Sequence, residues 1–233
     1  MRNEAKGYFL KEYGSWSVLI VAYLIGLGVS REFTWTAVPL FLALALLINS
    51  KQAYTKWNRR PEDRQALMIF LAHIVVAAVI LAAVFGRNIP MLLPLIIFPL
   101  AYLLMSRFAG EHFVLTELLG FALISLSAVL AKFLLTGGLD VRLFVGTALY
   151  FTAGVFKVKA LLLKRTKYRV LTAAYVLFAA LVYRRMHIPV IILLPLVDNL
   201  IVAATLYKVK LQTTGWIEVA KSLVVLALFI SFY

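Results

Sequence analysis

The sequence predicts an all-α, polytopic transmembrane helical bundle of about nine helices, folded as one integral membrane domain over residues 1–233. Three observations carry that expectation. Of 233 residues, 64% are hydrophobic and 15% charged, against about 45–50% and about 25% in soluble domains. Apolar stretches of membrane-crossing length recur along the chain. Lysine and arginine concentrate on alternate connections between those stretches.

A helix needs about 20 mostly apolar residues to cross the hydrocarbon. The spans read as Tyr13–Val29, Phe33–Ile48, Ala66–Phe85, Ile89–Met105, Phe113–Leu135, Arg142–Leu163, Val170–Tyr183, Ile188–Tyr207 and Trp216–Tyr233. The second and seventh are short and are expected to extend into their flanks. No charged n-region, short apolar core and cleavage site opens the chain, so no removable leader is expected.

The loops set the orientation. With the N-terminus in the cytoplasm, seventeen Lys and Arg fall inside, including Arg2, Lys6, Lys11, Lys51, Arg59, Arg60, Arg64, Lys164, Arg165, Lys208 and Lys210. Five fall outside: Arg31, Arg87, Arg142, Arg184 and Arg185. That bias follows the positive-inside rule and predicts a cell-membrane protein with N inside and C outside. The formal net charge of +14 is then topology signal and attraction to anionic headgroups, and nucleic acid is not an expected partner.

Two stretches share a spelling. Asn88-Ile89-Pro90-Met91-Leu92-Leu93-Pro94 parallels His187-Ile188-Pro189-Val190-Ile191-Ile192-Leu193-Leu194-Pro195, each after a similar helix end. The expected organisation is two four-helix repeats, 8–107 and 111–208, with a final helix at 216–233. Repeats of this kind commonly place a site at their interface. Pro94, Pro99 and Pro195 interrupt helices, and the freed carbonyls need neighbours or a polar cavity.

Ionisable groups inside spans are costly and usually face the bundle interior or a partner. Glu117 opens the fifth span; Lys132 lies fifteen residues on, about 22 Å along the axis, too far to pair with it. Glu218 and Lys221 have i,i+3 spacing. Asp198-Asn199 falls near mid-membrane. Glu12, Asn49, Lys51, Glu117, Lys157, Lys159, Glu218 and Lys221 lie toward the expected cytoplasmic end, with His73 and Asp198 next in depth. They read as a polar cavity open to the cytoplasm, or equally as snorkelling lysines and interhelical pairs without a ligand.

Other chemistries are thinly provided for. Cysteine is absent, which removes disulfides, thiolate metal sites and a thiol nucleophile. His73, His112 and His187 have no metal-ligand register, so no metal site is expected. No phosphate-binding loop, dinucleotide fingerprint or nucleophile elbow occurs. No cofactor can be named. Gly26-x-Gly28 reads as close helix packing.

Glu12-Tyr13-Gly14-Ser15-Trp16 at the first helix resembles the His-Gly-Ala-Trp signature of the YwiC-like membrane proteins. Glu111-His112-Phe113-Val114-Leu115-Thr116-Glu117-Leu118-Leu119-Gly120 is similar to that family's acidic start to the fifth helix. Gly154-Val155-Phe156-Lys157-Val158-Lys159 resembles its Gly-x-x-Phe/Tyr-Val-Lys stretch, and Ile217-Glu218 its last-helix start. Tyr13 and Ser15 stand where the family has His and Ala, and Thr116 where it has Asn, so a proton-transfer role for that histidine is not available to this chain. The resemblance implies a multi-pass membrane protein and brings no established activity. The architecture also resembles the nine-helix UbiA-type prenyltransferases. Their magnesium-binding aspartate motifs have no counterpart here beyond Glu62 and Asp63, so an aspartate-bound magnesium is not expected.

The functional expectation is binding, or modification, of an amphipathic anionic lipid or isoprenoid from the cytoplasmic side. Lys157 and Lys159 would clamp the headgroup, Glu117 would act as general acid or base, and Asp198 and His73 would line the floor, with Glu12, Asn49, Glu218 and Lys221 around it. Whether the chain is an enzyme stays open. The alternatives are a small-solute or ion transporter and a non-catalytic assembly subunit.

Overall fold

The computed structural model describes residues 7, 8, 10, 12–206 and 211–233. Arg2, Lys6, Lys11, Tyr207, Lys208 and Lys210, used above for spans and orientation, lie outside the described residues. The described residues are all-helical, with no strand. Six helical stretches among them are long and apolar enough to cross a membrane by length and composition, 64–108 counting as one.

Helix α1 spans Tyr13–Ser30 and α2 Ala37–Arg59. The second span, Phe33–Ile48, was expected to be short and to extend into its flanks. On its C-terminal side the helix does so by eleven residues, where Asn49, Ser50 and Tyr54 are buried against neighbours. It stops only at Arg60, whose extended backbone (φ −139°, ψ 86°) is what the following Pro61 imposes on the residue before it. Asp63 then caps α3 (Arg64–Phe85) by accepting from the Ala66 N–H at 2.9 Å. That cap accounts for one of the two acidic residues in this loop.

Gly86 closes α3 with φ 47°, a conformation open to glycine. The expected helix Ile89–Met105 is broken into α4 (Ile89–Leu92), a 3-10 turn (Leu93–Ile96) and α5 (Ile97–Phe108). Pro94 has no N–H to donate four residues back, and the chain tightens locally. The Tyr54 hydroxyl donates to the Leu103 carbonyl (3.0 Å), and Thr55 and Arg59 both reach Glu111. The chain has therefore reversed after Gly86 and returned to the end of the bundle where α2 finishes.

Helix α6 (Val114–Thr136) ends at Gly137 with φ 70°. It is followed by α7 (Val141–Leu163) and α8 (Thr166–Arg185), the latter extended into both flanks as the short span required. After His187 the chain repeats the behaviour of 89–108. A 3-10 segment, Val190–Leu196, contains Pro195 and leads into α9 (Val197–Thr205). Helix α10 covers Leu211–Phe232.

Helix α1 packs most extensively on α6. A Cβ on Gly26 would fall on the Ala128 carbonyl, and one on Gly28 would collide with the Ile230 side chain. The close approach exists because these two residues lack side chains, the usual device where lipid supplies no hydrophobic drive between helices. Buried tyrosines donate across helices to backbone carbonyls: Tyr23 to Ala37 (2.6 Å), Tyr183 to Gly146 (2.7 Å) and Tyr150 to Lys221 (3.2 Å).

At the end of the bundle opposite Glu111, the Asp140 carboxylate caps α7 at Leu143 N (3.0 Å). It also accepts from Lys132 (2.6 Å) and from the Tyr233 hydroxyl (2.9 and 3.0 Å). The partner of Lys132 is thus Asp140, and this cluster fastens α10 to α7. Burial opposes charging of Asp140, but Lys132, the Leu143 N–H and Tyr233 outweigh it and hold the carboxyl below its ordinary value of 3.8. Stability from a lowered acid is present above the ordinary pKa and is lost as pH falls through the folded value. Asp140→Asn is expected to lower the thermal midpoint at neutral pH. The gap to wild type should close in the acid range below that ordinary value. A gap of constant size in midpoint-against-pH scans contradicts the assignment.

Candidate functional site

The structure sorts the expected site residues into three groups. The first lies at the end of the bundle where α1 and α6 begin and α2 and α7 finish. Glu12 pairs with Lys51 (2.7 Å) and accepts from the Ser15 hydroxyl (2.9 Å). Burial alone would raise the Glu12 pKa, yet Lys51, Ser15 and the charge of His112 together hold it below its ordinary value. Glu111 pairs with Arg59, and Glu117 with Lys159 at 2.9 Å. His112 is exposed, 3.6 Å from Glu111 and 3.9 Å from Glu117. Thr116, fully buried beside Glu117, has no hydrogen-bond partner at its hydroxyl.

The second group joins α2 to α3. The His73 Nδ1 lies 2.7 Å from the Ile69 carbonyl, which can only accept, so Nδ1 carries the hydrogen. Nε2 is left to accept from the Asn49 amide at 2.9 Å, and Asn49 Oδ1 accepts from the Leu10 N–H at 2.8 Å. Asn49 thereby ties the segment before α1 to α3.

The third group is the most buried. Lys157 on α7 is 1% exposed and donates to both Asp198 on α9 and Glu218 on α10. Lys221 donates to Glu218 (3.0 Å), to Asp198 (3.2 Å) and to Asn199 Oδ1 (2.6 Å). The i,i+3 pair expected within the last helix is present, as one edge of a network of two ammonium and two carboxylate groups. Asn199, fully buried, turns its amide to the Ala153 carbonyl (3.3 Å). It was legible only as the neighbour of Asp198, and its role as a fixed acceptor for Lys221 was missed.

Depth follows from register. Lys157 is six residues from the end of α7, Asp198 seven from the end of α9, and Glu218 seven from the start of α10. At 1.5 Å per residue each is about 9–11 Å inside the same end of the bundle. Three helices thus deliver charge at one level, where an isolated ion would be costly and paired ions are tolerated.

A cleft opens beside this network, lined by Leu194, Pro195, Asp198, Ile217, Ala220, Lys221 and Val224. Its walls are apolar, and Leu194 and Val224 are exposed on the bundle surface. Its charged groups are Asp198 and Lys221.

Lys157 and Lys159, two residues apart on α7, point to different groups and share no partner in the described contacts. Among the described residues no cluster of three or more His, Asp or Glu side chains could hold a metal ion.

A model of the YwiC-like protein family matches residues 10–132. The chain belongs to the YwiC-like family. The match covers α1 through most of α6, and therefore Glu12, Asn49, Lys51, His73, Glu111 and Glu117. The network of Lys157, Asp198, Glu218 and Lys221 lies outside the segment that defines this YwiC-like protein by match. No curated protein and no solved structure matches the chain.

Proposed function

We propose that this integral membrane protein binds an amphipathic anionic lipid or isoprenoid, with the headgroup at Lys221 and Asp198 and the tail along the cleft between α9 and α10. The observation that carries the reading is the make-up of that cleft: apolar walls open on the bundle surface, with an ammonium and a carboxylate 3.2 Å apart. A polar solute has little to bond along such walls. An amphipath matches them at both ends. Lys157 then acts as a positioning residue beneath Lys221, and Lys159 with Glu117 flanks the same end of the bundle.

The orientation in this proposal is N-terminus cytoplasmic and C-terminus outside, in the cell membrane, which puts the headgroup on the cytoplasmic side. It rests on the distribution of Lys and Arg. A four-plus-four repeat belongs to the same reading. Three features favour it: the matching 3-10 breaks before Ile97 and Val197, the packing of α1 on α6, and two polar pairs in parallel places. Asn49 meets His73 between α2 and α3, and Thr152 meets Tyr175 between α7 and α8.

The test is photo-crosslinking in membranes with a benzophenone amino acid at Val224 or, as control, at Val76 on the exposed face of α3. A lipid adduct of one headgroup class, enriched at Val224, is the expected result. Equal and unselective labelling at both positions contradicts the proposal.

One observation favours a second reading, a small-solute or ion transporter: Asp198 sits one residue into α9, directly after the 3-10 break. Broken helices commonly form transport sites. Substrate-dependent flux into proteoliposomes that Asp198→Asn abolishes would replace the lipid reading with this one.

A further inference from the structure

We infer that two belts of exposed aromatic side chains seat the protein in the headgroup interfaces of a bilayer and fix its level there. Among the described residues the exposed tyrosines and tryptophans are Tyr13, Trp35 and Trp216, at 90%, 81% and 68% exposure. None of them stands at mid-helix. Tyr13 opens α1, Trp35 comes two residues before α2, and Trp216 lies in the second turn of α10. The exposed phenylalanines Phe33, Phe108, Phe113 and Phe232 also stand at helix ends, with Phe178 the exception. Between the ends the exposed large side chains are otherwise aliphatic, among them Leu24, Leu42, Val75, Val79 and Leu223.

Helix direction sorts these residues into two levels. Tyr13, Phe108, Phe113 and Trp216 belong to the end where α1, α6 and α10 begin and α5 finishes. Phe33, Trp35 and Phe232 belong to the opposite end, where Tyr233 meets Asp140. The 18 residues of α1 measure about 27 Å, and the step from Trp216 to Phe232 about 24 Å. A hydrocarbon core is about 30 Å thick, so the two levels match its two boundaries.

A ring with a polar edge is best placed where one side is apolar and the other wet. Trp35 meets Phe33 edge-on at 5.5 Å, and the Thr34 and Thr36 hydroxyls, 3.0 Å apart, tie the same turn. This anchor therefore has its shape before it meets lipid. Exposed charge stands beside the rings, at Arg31 and Glu32 next to Phe33 and at Arg107 next to Phe108. A protein partner covers one patch; rings at both ends with aliphatic side chains between them match a bilayer. The levels carry two consequences. About 20 residues on from Trp35 is Thr55, so the last turn of α2, with Lys56 and Arg59, stands among the headgroups. Lys221 lies five residues inside Trp216 on α10, about 7–8 Å along the axis, so the cleft opens on the acyl-chain side of the belt.

The experiment is single-tryptophan fluorescence of the full chain in phosphatidylcholine vesicles whose acyl chains carry bromine either near the headgroup or near the methyl end. The chain has 4 tryptophans, so each variant keeps one and replaces the others by Phe. Trp35 and Trp216 are each expected to lose more fluorescence to the shallow bromine than to the deep one. Val76→Trp, at mid-helix on the exposed face of α3 and with the native tryptophans replaced, is expected to show the reverse order.

Stronger quenching of Trp35 or Trp216 by the deep bromine, or quenching by neither, overturns the inference. A Val76→Trp signal no deeper than those of Trp35 and Trp216 overturns it as well. Replacing Trp16 removes a bond from its indole to the Leu10 carbonyl. Should that prevent folding, nitroxides at Phe33→Cys and Phe108→Cys decide, since the chain has no native cysteine. Oxygen from the lipid side and a nickel complex from the water side are expected to reach both labels comparably. A label reached by only one of the two overturns the inference.

Discussion

Replacing Lys157 by Met is expected to destabilise the protein by about 3–5 kcal/mol, the range for removing one partner of a buried ion pair. Lys157 is fully enclosed and bridges α9 to α10 through Asp198 and Glu218. Without it, Lys221 alone faces two carboxylates. The loss should be partly recovered in Lys157→Met/Asp198→Asn, where one negative charge goes with the positive one. The check is a double-mutant cycle on thermal midpoints in detergent, since residues in one network couple strongly. Additive effects of the two substitutions would mean that Lys157 and Asp198 do not share the energy their contact implies.

The second large effect is expected at Gly26. Any side chain there meets the backbone of Ala128, and a helix backbone cannot rotate aside as a side chain can. Gly26→Val should separate α1 from α6 and cost about 1–3 kcal/mol or more, as overpacking does. Gly14→Ala, on the same helix with open space around the new methyl group, is the control and should be neutral. A monodisperse Gly26→Val protein with an unchanged midpoint would show that α1 and α6 are not in contact at this level.

These two residues also mark what could be read from the sequence. The apolar stretches announced the helices, and the glycine pair announced a close approach, because both signals are local. The partner of Lys157 was not legible. Glu218 lies sixty-one residues away in the chain, and in helices where nearly every position is apolar no polar face reveals which side turns inward. The same uniformity hid the pairing of Lys132 with Asp140. α2 was expected to extend past Ile48, but how far it would run was not legible for a different reason. Hydropathy reports where lipid ends, whereas the helix ends where backbone chemistry stops it, at Pro61. Glu218 with Lys221 was legible because i,i+3 spacing is fixed by the helix itself. Glu12, Asn49, His73 and Glu117 were recognised as polar groups out of place. Their division among separate clusters depended on which helices touch, and a single sequence does not state that.

The breaks at Pro94 and Pro195 connect fold to site. Each replaces a regular helix by a tighter turn before the chain resumes at Ile97 or Val197. In the second case the resumed helix begins with Val197-Asp198-Asn199, so the break sets the level at which Asp198 meets Lys157 and Lys221. Tyr150 and Asn199 then fix α10 and α9 against α7 through Lys221 and Ala153 carbonyls. The charged network is held against the α7 face by these two contacts and by the ion pairs of Lys157 itself.

The most direct test of the account is native mass spectrometry of the protein released from mild detergent, with identification of what stays bound. One retained anionic amphipath per chain is expected in the wild type, and its loss in a folded Lys221→Gln variant. A wild-type protein that carries no lipid, or one whose lipid complement is unchanged by Lys221→Gln, would contradict it.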